Sequence, residues 1–305
     1  MQIRPLPPAQ AWRWFIEAIN LGVRNPRAIF GAALLLVGSL YLIVIGGGLL
    51  AGLLGGAGGG EPGTLALALT LLTVVAVFLL VPVLVGGLMH VIREAEAGRP
   101  VRARDIYGPL RGGRGGRLAA FGGLQIVAMA AGLLLTRHLA GEDYMAAYNE
   151  AVNAMMRQQQ PVPLPTPAHP LLLFLWQLVF NYFTATVMLL GIALVALSGL
   201  GFVDAAKAAA RAALRNLAPN VLAAGLFFGA VMVAVLLLSV VGSVLLLVLG
   251  KLFMPLALLV GLVFTLAFIS AVLVVICGGG YLIWRDTFGD AERAQAPRAS
   301  THIEV

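Results

Sequence analysis

Six long apolar stretches alternate with short polar segments along the chain. They cover residues 29–54, 64–90, 118–136, 171–198, 221–249 and 254–283. A helix rises about 1.5 Å per residue, so about 20 residues cross the hydrocarbon layer of a bilayer, and each stretch is long enough or nearly so. Residues 250–253 separate the last two apolar stretches, and we interpret them as a tight turn. The alternative is one long helix with a re-entrant piece. The pattern predicts an all-α membrane protein with six transmembrane helices.

Amphipathic or basic segments precede the first, third and fifth apolar stretches. In 11–24 and 202–216, apolar and charged positions recur at helical spacing. Segment 101–117 is rich in glycine, which makes a full helix there doubtful. We therefore predict three helical hairpins, each preceded by a short cytoplasmic interfacial segment, in one integral membrane domain. The units are 11–92, 101–199 and 202–284, and we interpret them as an internal repeat. The alternative is that hairpins with basic loops simply look alike.

Composition supports a membrane location and excludes an ordinary soluble fold. Hydrophobic residues make up 60% of the chain and charged residues 11%, against about 25% charged in soluble domains. Mean hydropathy is +0.96. The first apolar stretch is too long for the core of a cleaved signal peptide, so we expect the N-terminus to be retained.

Basic residues predict the orientation of the chain. All Lys and Arg residues except Arg137, Arg157 and Lys251 lie in the segments 4–27, 93–117, 207–215 and 285–298. With six spans these segments fall on one side, and cytoplasmic loops carry the basic excess. We predict a bacterial inner-membrane protein with both termini in the cytoplasm, a tail at 285–305 and an outer loop at 137–170. The pattern of that loop predicts an amphipathic helix followed by a proline-rich spacer.

Glycines interrupt the inner ends of two apolar stretches, at Gly86-Gly87 and at 278–280. We interpret them as sites of close helix packing; a binding site is the alternative.

Short motifs in the chain resemble a family of uncharacterised proteobacterial polytopic inner-membrane proteins. These are Trp12-Arg-Trp14 with Arg24-Asn25-Pro26, the segment 98–106, and 199–206 running into Arg215-Asn216. The chain is more distantly similar to the membrane domain beside some glycerophosphodiester phosphodiesterases. The resemblance implies the six-span architecture and carries over no catalytic activity.

The apolar stretches offer few groups for chemistry. Their central parts contain no Asp, Glu, Lys or Arg, and the histidines share no metal-ligand spacing. We expect no catalytic, cofactor or metal site, and no enzyme. Amide and hydroxyl side chains on two stretches are candidates for hydrogen bonds between helices or for a polar cavity, namely Gln125, Gln177, Asn181 and Thr184. Candidate contacts to anionic lipid headgroups are Arg13, Arg24, Arg111, Arg114, Arg117, Lys207, Arg211 and Arg215.

These features favour a non-enzymatic scaffold or lipid-associating factor. Its expected partners are membrane lipids with anionic headgroups on the cytoplasmic side, together with a second copy of the chain or another protein, and not nucleic acid. The alternative is a transporter or channel for a small or amphipathic solute, not coupled to protons through buried carboxylates. A continuous polar cavity lined by Gln125, Gln177 and Asn181 would favour transport, and a closed bundle would favour the scaffold.

Overall fold

The computed structural model describes residues 2–55, 63–141, 143–157 and 163–289. Its helices, in chain order, are α1 Gln10–Leu21, α2 Pro26–Gly55, α3 Thr64–Glu96, a 3-10 helix Ala103–Tyr107, α4 Gly108–Arg111, α5 Gly115–Ala140, α6 Tyr144–Met156, α7 Pro170–Ser198, α8 Phe202–Arg215, α9 Leu217–Leu252 and α10 Met254–Phe288. Six of them, α2, α3, α5, α7, α9 and α10, are long and apolar enough to cross a membrane. The predicted all-α, six-span membrane architecture is confirmed.

The six long helices form three antiparallel hairpins, α2/α3, α5/α7 and α9/α10. The outgoing helices α2, α5 and α9 begin at the end of the bundle where the return helices α3, α7 and α10 finish; we call this the inner end. The break between α9 and α10 is a single extended residue, Phe253, with Pro255 in the first turn of α10. The predicted turn at 250–253 is therefore confirmed and is shorter than expected.

The hydrophobic core lies in the inner half of the bundle. On α3 its buried members start at Val83, on α7 at Leu190 and on α10 at Val274. The three return helices contact one another there, and the outgoing helices lie around them. Towards the outer end, most side chains of the long helices are exposed. The three hairpins are thus joined mainly at the inner end.

The segments before the hairpins pack in a cyclic order. The 3-10 helix, which precedes the second hairpin, packs on α2 and α3 of the first. Helix α8 precedes the third hairpin and packs mainly on α7 of the second. Helix α1 precedes the first hairpin and packs on α9 and α10 of the third. Each unit therefore covers the hairpin of the unit before it, as expected for a pseudo-threefold repeat closed into a ring.

Glycines at the inner end allow this close packing. A Cβ on Gly87 would lie 1.8 Å from the carbonyl oxygen of Ile106 in the 3-10 helix. A Cβ on Gly278 would lie 3.0 Å from the side chain of Leu21 on α1. The interpretation of these glycines as close-packing sites is confirmed at both positions. Real Cβ atoms essentially never approach a backbone oxygen to 1.8 Å, so Gly87 fixes how closely the second unit seats on the first.

The outer loop contains the predicted helix, α6, which packs on α5 and buries Ala151. Tyr144 and Tyr148 stack on this helix with ring centroids 6.1 Å apart. Residues 163–169 form neither helix nor strand, and the amide of Ala168 donates to the carbonyl of Ala140 at 2.9 Å. Residues 285–288 of the predicted tail belong to α10. The parts of the loop at 142 and 158–162, and the rest of the tail from residue 290, lie outside the described residues.

Candidate functional site: the inner end of the bundle

Arg285, near the end of α10, joins three helices. Its guanidinium contacts Glu96 at the end of α3 at 2.7 Å and Glu17 on α1 at 2.8 Å. It also contacts the neighbouring Asp286 at 3.0 Å. The planar guanidinium carries several donors in fixed directions, so one side chain can bind carboxylates from different elements. We call Arg285, Glu96, Glu17 and Asp286 the inner ion-pair cluster.

Neutral donors complete this cluster. One carboxylate oxygen of Asp286 accepts hydrogen bonds from the indole of Trp14 at 2.8 Å and from the amide of Gln10 at 2.7 Å, both on α1. The phenol of Tyr281 donates to Glu96. Trp14 is fully buried. A half-buried carboxylate is stable when its oxygens are hydrogen-bonded, so the cluster holds α1, α3 and α10 together.

Arginines also bind the inner end of α7. Arg93 on α3 donates to the carbonyl of Leu197 at 3.0 Å, and Arg114 donates to the carbonyl of Ala196 at 2.7 Å. The last carbonyls of a helix lack partners within the helix and carry partial negative charge. Cations placed there satisfy these groups; Arg93 attaches α7 to α3 of the first unit, and Arg114 attaches it to the start of α5 in its own unit.

Equivalent positions on the three return helices make contacts between units. Arg93, Ser198 and Arg285 each follow a glycine, at 86, 191 and 278, by seven residues. Arg93 of the first unit reaches the end of α7 in the second, and Arg285 of the third reaches Glu96 in the first. Ser198 of the second accepts from the indole of Trp284 in the third at 3.1 Å. The contacts therefore close a ring around the inner end, in keeping with an internal repeat.

The N-terminal segment is tied to the same end of the bundle by Asn216. The amide of this fully buried residue accepts from the backbone N–H of Leu6 at 3.0 Å and donates to the carbonyl of Arg4 at 2.9 Å. Asn25, the matching residue after α1, accepts from the backbone N–H of Ala28 at 3.2 Å and so caps α2. Both asparagines lie where one helix ends and the next begins.

The predicted lipid-contacting residues all lie exposed at the inner end. We call them the basic inner surface: Arg13, Arg24, Arg111, Arg114, Arg117, Lys207, Arg211 and Arg215. Two of them also have structural contacts, since Arg117 donates to the carbonyl of Gly199 at 3.3 Å and Arg114 binds α7 as above. The other six make no hydrogen bond or ion pair with another described residue, so their charge faces outwards.

Helix α1 presents two apolar faces, and the sequence pattern identified only one of them. The face that the helical spacing of 11–24 predicts is formed by Trp12, Phe15, Ile16, Ile19 and Val23. All of these except the half-buried Phe15 are exposed, and 57% of the Trp12 surface is accessible. The face that packs on the bundle is instead formed by Ala11, Trp14, Ala18 and Leu21. The exposed apolar face adjoins Arg13 and is suited to the boundary between headgroups and acyl chains.

The predicted polar cluster does not form a hydrogen-bonded group. Gln177 and Asn181 are exposed on the outer half of α7, while Thr184 and Gln125 are half-buried. Among the described residues, none of these four side chains hydrogen-bonds to another. They lie outside the buried core, and their role stays a prediction.

Metal ligation and known relatives give no further assignment. Within the described ranges, no three His, Cys, Asp or Glu side chains lie close enough to hold a metal ion. No protein-family model, curated protein or solved structure matches the chain. The family resemblance seen in the short motifs therefore stays a prediction.

The inner ion-pair cluster was missed by sequence reasoning. The pattern did show an Arg-acid pair shortly after the glycines of both α3 and α10, at 93–94 and 285–286. In the structure each arginine also binds the following carboxylate through Nε, at 3.2 Å for Arg93 and 3.0 Å for Arg285. Aligning the glycines would have placed both arginines at one depth, but the partner Glu96 follows only from the packing of α3 on α10.

Proposed function

We propose that this protein is a non-enzymatic scaffold or lipid-associating factor of a bacterial inner membrane, with its inner end and both termini on the cytoplasmic side. The observation that carries the proposal is the basic inner surface, next to the exposed apolar face of α1. Near an anionic membrane, each such Lys or Arg adds about 1 kcal/mol of attraction. Apolar side chains beside them add burial in the acyl region.

The placement of carboxylates at this end supports the proposal. Glu17, Glu96 and Asp286 bind Arg285, and Glu94 binds Arg99. The carboxylate of Asp105 accepts from the backbone N–H of Arg102 at 2.8 Å. These negative charges are therefore used for internal contacts, whereas Asp204 at the start of α8 is exposed. The outward-facing cations of the basic inner surface remain available for anionic headgroups.

The closed inner half favours this proposal over a transporter or channel. The core at this end contains fully buried large side chains from α3, α5 and α7, including Leu88, Phe121 and Leu194. Phe121 packs edge-on against Phe202 of α8 with ring centroids 4.9 Å apart. A polar path through the bundle would need an opening between these side chains.

Native mass spectrometry of the purified full chain tests the proposal. The protein is mixed with equal amounts of phosphatidylglycerol, which is anionic, and phosphatidylcholine, which is zwitterionic, and the bound lipids are counted. We expect a preference for phosphatidylglycerol that falls at least several-fold in the triple variant Lys207→Gln, Arg211→Gln, Arg215→Gln. The control is Arg157→Gln, Lys251→Gln, which removes two cations from the outer side and should leave the preference unchanged. Equal binding of both lipids by the unmodified protein would contradict the proposal.

A further inference from the structure

The cyclic packing of the three hairpins is broken at one place. Outgoing helix α2 packs on the return helix α10 of the preceding unit, and α5 packs on α3 in the same way. The third equivalent pair is α9 and α7, and these helices scarcely touch. Helix α9 instead packs on α10 and on α1, where Phe227 meets Phe15 edge-on at 5.6 Å. A seam is left open between α7 and α9.

A cavity of about 130 Å³ lies in this seam. Its floor is α10 at Gly279 and Gly280, and its walls come from α7 and α9, including Leu189 and Phe227. Ala185 and Ala224 at its rim are exposed, so it opens sideways towards the membrane. The volume is close to the roughly 150 Å³ of an apolar protein cavity that binds benzene. It therefore suits a short length of hydrocarbon rather than a whole lipid.

One end of the cavity is polar. Asn220 lines it and is 4% exposed, yet neither its amide nitrogen nor its amide oxygen makes a hydrogen bond among the described residues. The phenol of Tyr182 lies nearby without reaching hydrogen-bond geometry with the amide, and donates instead to the carbonyl of Ala213 at 2.7 Å. A buried polar group without a partner costs about 1–3 kcal/mol. An ester carbonyl would accept from the amide nitrogen and remove part of this cost, and a free hydroxyl would in addition donate to the amide oxygen.

The depth of the cavity matches the boundary between headgroups and acyl chains. Asn220 lies in the first turn of α9, and Phe227 follows it by seven residues, which is about 10 Å along a helix. The polar end therefore lies near the inner end of the bundle and the apolar end within the hydrocarbon layer. The residues that line the cavity carry no charge, so a charged group is not selected.

We propose that the seam between α7 and α9 binds one acyl chain whose uncharged ester or hydroxyl head hydrogen-bonds to the side-chain amide of Asn220. The first carbons of the chain occupy the cavity between α7 and α9, and the rest lies along the open seam. The chain belongs either to a single-chain lipid such as a monoacylglycerol or to a bilayer phospholipid, because both offer an ester carbonyl at this depth. The site is separate from the basic inner surface and does not depend on it.

Photo-crosslinking tests this site in the purified full-length protein. Two probes are used: a monoacylglycerol and a phosphatidylcholine, each with a diazirine near the ester in one acyl chain. Labelled peptides are mapped by mass spectrometry. We expect at least one probe to label the residues that line the cavity, around Leu189 or Phe227. The probe that labels identifies the source of the chain.

Two variants and a control decide the outcome. Ala224→Phe fills the seam from its exposed rim and should reduce labelling more than ten-fold. Asn220→Leu removes the polar partner and should reduce it about five-fold, as for the loss of one hydrogen bond. Leu222→Phe changes an exposed residue of α9 that does not line the cavity and should leave labelling unchanged. Absence of labelling by both probes, or equal labelling in all variants, would overturn the proposal. Labelling that persists when Lys207, Arg211 and Arg215 are neutralised separates this site from the basic inner surface.

Discussion

Replacing Arg285 with Gln should loosen the inner end of the bundle. The substitution keeps much of the side-chain length and removes the charge that joins α1, α3 and α10. Glu96 then loses its contact at 2.7 Å and keeps the hydrogen bond from the phenol of Tyr281. Because Glu96 is 24% exposed, water replaces the lost partner only in part.

The size of the effect follows from the individual contacts. The charged hydrogen bond to Glu96 contributes about 1.5–3 kcal/mol. The contact to Glu17, whose side chain is 45% exposed, contributes only about 0.2–1 kcal/mol. Asp286 keeps Trp14 and Gln10 as donors and adds little. The free energy of unfolding should fall by about 2–4 kcal/mol, which at roughly 2 °C per kcal/mol lowers Tm by about 4–8 °C.

The single cysteine provides the assay. Cys277 is 2% exposed on α10, two turns before Arg285. A maleimide that fluoresces on reaction with a thiol should therefore react only when the inner core opens. Its reaction is followed while the protein is heated in detergent, and the midpoint gives Tm. The thiol is unchanged in the variant, so the two curves are directly comparable.

Arg27→Gln is the matched control. Arg27 is exposed near the start of α2 and makes no hydrogen bond or ion pair with another described residue. Its replacement should change Tm by less than about 2 °C. If Arg285→Gln shifts Tm no more than Arg27→Gln does, the inner ion-pair cluster does not hold the helices together and the reasoning is wrong.

Two further predictions concern packing and orientation. Gly87→Ala should lower the free energy of unfolding by about 1–3 kcal/mol, because the new Cβ meets the carbonyl of Ile106. Gly48→Ala, where a Cβ meets nothing within 4 Å, should not lower Tm in the same thermal assay; equal losses would refute the close approach. A periplasmic reporter enzyme should be active when inserted at Gly250 in the outer turn and inactive when fused after Val305; the reverse result would refute the proposed orientation.

The sequence was sufficient to predict the six spans, because about 20 apolar residues in a row have few other stable arrangements. It also predicted the turn before Pro255 and the incomplete helix in segment 101–117, which the structure resolves into a 3-10 helix and the short helix α4. These features are local. Hydropathy and glycine or proline content alone determine them.

Features that depend on packing between units could not be read from the sequence. The buried face of α1 includes Ala11 and Ala18, whose small side chains give a weak hydrophobic signal. Asn220 looks like an ordinary interfacial residue until α7 is seen to stand away from α9. Conversely, the polar side chains Gln177 and Asn181 drew attention by composition, yet the structure leaves them exposed. These residues differ in how deeply they lie in the bundle and in which side chains surround them, and residue type alone shows neither.

The central claim is that the inner end gathers anionic lipid, and energy transfer in vesicles tests it most directly. Trp12, Trp14 and Trp284 lie at this end and act as donors. The acceptor is pyrene on the acyl chain of either phosphatidylglycerol or phosphatidylcholine. The two probes are compared in vesicles of the same lipid composition at low salt. We predict greater energy transfer from tryptophan to the phosphatidylglycerol probe. The difference should disappear in about 1 M salt, where the screening length is about 3 Å. Equal transfer to both probes at low salt would contradict the claim.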